Sequence, residues 1–535
     1  MAVDRGVYGI VLVITVFVAS LISLISLETM VVNVVTQSPF FLYGNVHYDA
    51  SLIATLLIVV FMAYVLRSRY VVIPLMVLWA LTLLAPYMIY IHSLPIYNDQ
   101  LGFVGEALSG ILYGYVEPLQ GEPSSLGHAY FTSILTVLMG VNPPIWGIVL
   151  VQSLLPIAYA LPLLALPYRD TKEIALIMLV VLGAMLNPIL YGRTPFAWSY
   201  LVLFTAFLYN RLNELGNKRG LGIAAIMILI IIYAAYVISD PTSLMVPIIL
   251  VALTIFRREF LPLTLATMVT WFAINLILYI SGSLSSVIMQ LMAMIESPTN
   301  PVPSLVLPAV NPVMRLYDYA REFTVFIGFL IGLIASSVVL IDVFRRRGRV
   351  NNGLTWVTLY LVLVVLQAAA LVMSRWGMVP YSMYVISALP ILTLLLVRRS
   401  KWLQVLVLAL AIVLVVLSPV VKWGFSVIAF PTTHDIHEAL FIMSYVGNNE
   451  VCASGAHELL WFYYWLYNID SPINYLNPTF TPSQATNCDI TAVFYRAFNT
   501  YRLDITTEHL NNELNAMNNA FNVVYKDGLW TIWSR

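Results

Sequence analysis

Only 10% of the 535 residues are charged and 61% are hydrophobic, so the side chains able to do chemistry stand out. The first concentration of them is Leu94–Pro118, LPIYNDQLGFVGEALSGILYGYVEP, which carries Asp99, Glu106 and Glu117, with Glu122 just behind. A carboxylate held here could take a proton from an attacking hydroxyl. If Gln100–Leu112 is helical, Asp99 and Glu106 lie seven residues apart and share a face. Leu101, Val104, Leu108 and Ile111 make such a helix amphipathic, suited to a membrane surface. Gly102, Gly105 and Gly110 would let it approach another surface closely. A second amphipathic piece, Ser125–Gly140, carries His128. Solvated acids in an ordinary interfacial loop would show the same spacing.

A second group is basic. Arg193, Arg315, Arg321 and Arg375 stand apart from every other cluster of positive charge, and none is lysine. A guanidinium can clamp a phosphate through two parallel hydrogen bonds. Contact with lipid headgroups is the plainer reading of any one of them. Asp240, in VISDPTS between two apolar runs, reads either as a functional acid or as the cap of the following helix. Glu296 ends the amphipathic run SVIMQLMAMIE, in a loop that could close over a ligand. In THDIHEA, His434 and Glu438 have the spacing of metal ligands, but the run also has the form of a helix cap, which is the reading preferred here.

The elements that must position these groups are membrane spans. Repeated apolar runs closed by Arg or Lys predict a polytopic α-helical membrane protein with about thirteen transmembrane helices. They are expected near 6–27, 49–66, 70–92, 142–166, 173–190, 196–210, 221–239, 241–256, 260–281, 322–343, 353–373, 380–397 and 402–421. The first run is longer than a signal-peptide core and no small-residue cleavage site follows it, so it is read as a retained span. Arg67/Arg69, Arg169/Lys172, Arg211/Lys218/Arg219, Arg257/Arg258, Arg345–Arg349 and Arg398–Lys401 fall at every second connection. The positive-inside rule makes that face cytoplasmic, with the N-terminus. Loops of about 94–141 and 282–321 and the segment 422–535 are then external, and the four arginines sit near the external boundary. A plasma-membrane location is expected. The net charge of zero implies no nucleic-acid partner.

The domain division expected is 1–421 for the membrane part and 422–535 for a small external α/β domain. Val451–Ser454 reads as a strand, Thr433–Val446, His457–Tyr467 and Thr507–Phe521 as helices, and VVYKDGLWTIW as a hairpin turning at Asp527-Gly528. Cys452 and Cys488, the two cysteines, fit a disulfide in an external setting and fit two free buried thiols equally well.

This layout resembles the GT-C superfamily of membrane glycosyltransferases, which includes oligosaccharyltransferases and the mannosyl and aminoarabinose transferases. The resemblance is carried by YNDQLGFVGEALSGILYGYVEP, PSSLGHAYFTSILTVLMGVNP, LNPILYGRTPFAWSYLVLFTAFLYNRL, SDPTSL, RWGMVPYSMYVISALPIL and the closing NVVYKDGLWTIW. It implies transfer of a sugar from a polyprenyl- or dolichyl-phosphate-linked donor to a glycan, lipid or protein acceptor on the external face. A first-loop Asp is that superfamily's catalytic base or metal ligand, and by position it maps onto Asp99. Glu106, His128, Arg193, Asp240, Glu296, Arg315, Arg321 and Arg375 are the expected substrate-binding residues. No Asp-x-Asp pair occurs in the first loop and no Trp-Trp-Asp in the tail, which argues against an oligosaccharyltransferase proper and leaves a divalent metal open. A lipid or solute transporter is the competing class. Long outer loops and the scarcity of mid-span charge disfavour it. A scaffold that only presents the tail would not need the boundary arginines.

Overall fold

The computed structural model describes residues 98–116, 126–140, 168–184, 193–215, 222–280, 312–345, 386–423, 450–454, 473–475, 488–494, 515–526 and 530–534, with a few single positions between them. The spans expected at 6–27, 49–66, 70–92 and 353–373 lie outside these residues, as do Glu117, Glu122, Glu296, Arg375, His434, the helix 457–467 and the Asp527-Gly528 turn. Most of 142–166 does too.

Ten α-helices lie wholly among the described residues: α1 (Asn98–Tyr113), α2 (Gly127–Met139), α3 (Thr171–Ala184), α4 (Arg193–Leu215), α5 (Ile223–Ser239), α6 (Met245–Phe256), α7 (Leu261–Ile280), α8 (Pro312–Arg345), α9 (Ile386–Arg399) and α10 (Lys401–Trp423). The two pieces expected in the first loop are thus helical, as α1 and α2. Three stretches, Arg258–Ile277, Tyr319–Val338 and Lys401–Ser418, are long and apolar enough to cross a membrane. They leave large apolar side chains such as Val269, Phe272, Ile277, Phe326 and Val405 more than half or nearly half exposed. A face of that composition is solvated by lipid rather than water.

The middle of the bundle is α3. It is apolar all round, and Ile174 through Leu182 are buried without a break. Such a helix must be surrounded, and α9 and α10 pack on it. At Gly183 an added Cβ would lie 2.8 Å from the Leu414 Cβ and 3.0 Å from the Leu414 carbonyl carbon, so only glycine lets α10 come this close.

One end of α3 is fixed by charge. Asp170 accepts a hydrogen bond from the Glu173 N–H at 3.0 Å, and the Glu173 carboxylate accepts one from the Arg169 N–H at 2.8 Å. Asp170 thus caps the helix start, and Glu173 reaches back one residue further, to the N–H of the residue before the cap. The same carboxylate takes two hydrogen bonds of 2.7 Å from the Arg398 Nε and Nη2 at the end of α9. Burial works against the Arg398 charge, but the hydrogen bond and charge of Glu173 outweigh it and hold the guanidinium above its ordinary pKa. The pair joins two connections that the charge pattern assigns to one face, Arg169/Lys172 and Arg398–Lys401. Glu173→Ala should leave the partly buried Arg398 charge without its carboxylate partner, at a cost of about 1–3 kcal/mol. A lowered unfolding midpoint in detergent checks this; an unchanged midpoint would show the pair to be unimportant.

The connection expected over 282–321 is helical in its last part. Helix α8 begins at Pro312, so Arg315 and Arg321 stand on a helix and not in a loop. Proline suits the first helical position, where its missing N–H costs nothing. Arg315, Asp318, Arg321 and Glu322 interrupt the hydropathy without interrupting the helix. At 34 residues α8 is about 50 Å long, well beyond the ~30 Å hydrocarbon core, so its polar part extends past the lipid.

After residue 450 a five-stranded sheet forms, in the order β2-β1-β3-β5-β4, from β1 (Val451–Ser454), β2 (Ile473–Tyr475), β3 (Ile490–Phe494), β4 (Asn522–Lys526) and β5 (Trp530–Ser534). β1 pairs in parallel with β2 and β3, whereas β5 is antiparallel to both β3 and β4. The strand expected at 451–454 and the closing hairpin are both present. Residues 440–442 and 515–520 are helical within the helices expected at 433–446 and 507–521. A disulfide joins Cys452 on β1 to Cys488, just ahead of β3.

Candidate functional site

Helices α1 and α2 pack against each other at the end of the bundle where α4 begins and α5 ends. Their contact is polar on the inside. The Ser133 hydroxyl of α2 lies 2.8 Å from the Ala107 carbonyl oxygen of α1, and also within reach of the Ala129 carbonyl of its own helix. An added Cβ at Gly110 would come 2.5 Å from the Ser133 oxygen, so the glycine makes this approach possible.

One turn away, Glu106 and His128 face each other. The His128 Nε2 is 3.2 Å from the Glu106 Oε2, and both side chains are buried, at 0% and 2% exposure. Burial of this kind is tolerated only for polar groups with partners. The imidazole is clasped by two aromatic rings: Phe103 from α1 meets it edge-on at 4.9 Å, and Phe196 of α4 lies 6.4 Å away. Phe131 also packs edge-on against Phe196. Through Phe196 the pair is tied to the first turn of α4, which starts at Arg193.

The start of α2 touches the end of α5. An added Cβ on Gly127 would lie 2.5 Å from the Ser239 Oγ and 3.1 Å from its Cα. Asp240, the next residue, is 3% exposed and ends α5, its N–H donating to the Tyr236 carbonyl. Its own carbonyl accepts from the Ser243 N–H, opening the 3₁₀ turn Pro241–Leu244. The buried Tyr233 hydroxyl donates to the Ser243 carbonyl and closes the corner.

Glu106 and His128 therefore meet at the end of the fold where α4 begins, at Arg193, and α5 ends, at Asp240. Asp99 is in the first turn of α1. Its position is two turns, about 10 Å, from Glu106 on the same side of the helix. Arg315 and Arg321 stand on α8, which packs against α3, α9 and α10. Arg321 is half-buried, and among the described residues its buried Nε has no hydrogen-bond partner. Beside it runs a groove of about 530 Å³ lined by Tyr319, Ala320, Glu322, Phe323, Phe326 and Leu417. Glu296 and Arg375 lie outside the described residues. Among the described residues no three His, Cys, Asp or Glu side chains form a group able to hold a metal.

Phe103, Gly127, Ser133, Phe196 and Ser239 complete this corner and were not singled out in the sequence. Gly110, read in the sequence as permitting a close approach, was the hint of this helix contact.

No protein-family model matches the chain, and no curated protein matches it. Among solved structures, the archaeal oligosaccharyltransferase AglB from Archaeoglobus fulgidus, in complex with an inhibitory peptide and a dolichol-phosphate, aligns with a TM-score of 0.52 at 11% identity. The alignment covers 83% of this chain and 69% of that one. The chain shares its fold with this oligosaccharyltransferase. ArnT from Cupriavidus metallidurans bound to undecaprenyl phosphate aligns at 12% identity over 86% of this chain and 97% of that one, with a TM-score of 0.47. At these identities the likeness is one of fold.

Proposed function

We propose that this chain is an inverting membrane glycosyltransferase acting on a polyprenyl- or dolichyl-phosphate-linked sugar at the external face. The observation that carries the reading is the meeting of Glu106, on the helix that bears Asp99, with His128, at the end of the fold where α4 begins, at Arg193, and α5 ends, at Asp240. The fold neighbour in complex with a dolichol-phosphate supports the donor class.

Asp99 serves as general base, taking the proton of an acceptor hydroxyl. The oxygen so activated attacks the anomeric carbon from the side opposite the phosphate. The bond from that carbon to the phosphate oxygen breaks, and its electron pair leaves with the lipid phosphate. Arginines among Arg193, Arg315, Arg321 and Arg375 stabilise the departing charge, as fixed donors do best when already in place. The Glu106–His128 pair holds α1 against α2 and so sets the base. No group of described residues fits a divalent metal, and no step here is routed through one.

A polyprenyl phosphate binding the folded protein should raise its unfolding midpoint in detergent. At a hundredfold excess over the dissociation constant the gain is about 2.7 kcal/mol. Polyprenol of the same chain length, lacking the phosphate, should give a much smaller shift, and Arg321→Ala should reduce the phosphate effect. Equal shifts with phosphate and alcohol would remove the phosphate-clamp assignment.

A further inference from the structure

The bond between Cys452 and Cys488 ties the sheet from within. β1, which carries Cys452, lies between β2 and β3, and Cys488 stands just ahead of β3. Both cysteines are 2% exposed, and Val451, Ala453, Ile490 and Ala492 close to them in sequence are buried too. The chain has two cysteines in all, so no third thiol of its own can open or reshuffle the bond. Exchange needs an outside thiolate that reaches one of the two sulfurs. With the sheet closed, neither sulfur can be reached.

A short clasp holds the sheet closed at this point. Glu450 and Asp489 each precede their strand, β1 or β3, by one residue. The Asp489 Oδ2 accepts a hydrogen bond from the Glu450 N–H at 3.0 Å. In return the Glu450 carbonyl accepts from the Asp489 N–H at 3.0 Å and from the Ile490 N–H at 3.2 Å. Past the clasp the strands run parallel, with Val451 opposite Ile490 and Cys452 opposite Thr491. A parallel pair has no tight turn to hold its ends together. The entry to β1 and β3 is therefore where the pair can begin to part, and Asp489 is exposed there, next to the buried Cys488.

We propose that Cys452–Cys488 is a gated disulfide, made and broken only while β1 and β3 are parted, with the Asp489–Glu450 clasp as its gate. Its co-reactant is a donor disulfide. One cysteine thiolate attacks a donor sulfur and expels the other donor sulfur as a thiolate. The second cysteine thiolate then attacks the cysteine sulfur of the mixed disulfide and expels the remaining donor thiolate. The cysteines lose two electrons, the donor gains them as a dithiol, and the two cysteine protons end on the donor thiolates. The bond is thus in place before the sheet closes, and closure then shields it from reductants. This stands independently of the glycosyltransferase reading.

Reduction is the reverse of formation and passes through the same opened state, so its rate reads the gate. The full chain in detergent is exposed to dithiothreitol. Samples taken over time are quenched with acid, freed of reductant and treated with a polyethylene-glycol maleimide, which shifts each free thiol on a gel. The folded chain should be reduced at least about a hundredfold more slowly than the same chain unfolded in urea and dodecyl sulfate, because attack waits for a local opening. Asp489→Ala should speed reduction of the folded chain about three- to tenfold, the effect of losing one hydrogen bond, and leave the unfolded rate unchanged. Asp489→Asn, whose amide oxygen still accepts, should keep the parental rate. Maleimide capture before reductant is added, or equal rates for folded and unfolded chains, would overturn the proposal. An Asp489→Ala chain reduced no faster than the parent, or an Asp489→Asn chain as fast as Asp489→Ala, would overturn the gate.

Discussion

Asp99→Asn is expected to lower sugar transfer by about 10²–10⁴-fold, the span that general-base catalysis usually supplies. Asparagine has nearly the same shape but cannot accept the acceptor's proton. The change falls in the first turn of α1, remote from the buried contacts that hold α1 to α2. Expression, the unfolding midpoint and stabilisation by polyprenyl phosphate should therefore match the parent protein. The check is product formation in vesicles alongside thermal unfolding. Retained activity would end the assignment of Asp99 as the base.

Glu106→Ala and His128→Ala are each expected to destabilise the protein by about 1–3 kcal/mol, because each removes one member of a contact buried at 2% and 0% exposure. The double variant should cost less than the sum of the two, with a coupling of about 0.5–3 kcal/mol. Activity should fall further than stability does. Loss of the contact frees α1 to shift on α2, and a small displacement of a catalytic group costs orders of magnitude in rate. His128→Phe, which keeps a ring between Phe103 and Phe196 but lacks Nε2, separates packing from polarity. It should recover part of the stability and little of the activity. Strictly additive single and double variants would show that the two side chains do not act together.

Much of the helical framework was legible because apolar runs must be long to cross lipid and basic residues must stay on one side. Helices α5, α6, α7 and α10 fall within a few residues of the expected spans. α1 and α2 were legible from amphipathic spacing. The start of α8 was not: Arg315, Asp318, Arg321 and Glu322 lower the hydropathy, but a helix that leaves the membrane needs no apolar residues to continue. The candidate residues were visible as types, whereas their pairing was not. Glu106 and His128 sit on different helices; Gly110 marked a close approach on α1, but nothing in the local sequence says that Ser133 of α2 is what it meets. The polar inner face of α2 was hidden for a related reason. Its 3.6-residue pattern is the same whichever face is buried, and only the contacts to α1, α4 and α5 show that the serines and threonines point inward. Glu173 and Arg398 are 225 residues apart, beyond the reach of any motif.

The central claim is that Asp99 and two or more of the four arginines line one donor site. An electron cryo-microscopy structure of the full chain in lipid nanodiscs with a polyprenyl phosphate tests it most directly. The phosphate is expected in a single cavity with the Asp99 carboxylate and at least two of Arg193, Arg315, Arg321 and Arg375, beside the Glu106–His128 pair. Arginines scattered around the perimeter, with the phosphate bound away from α1, would contradict it.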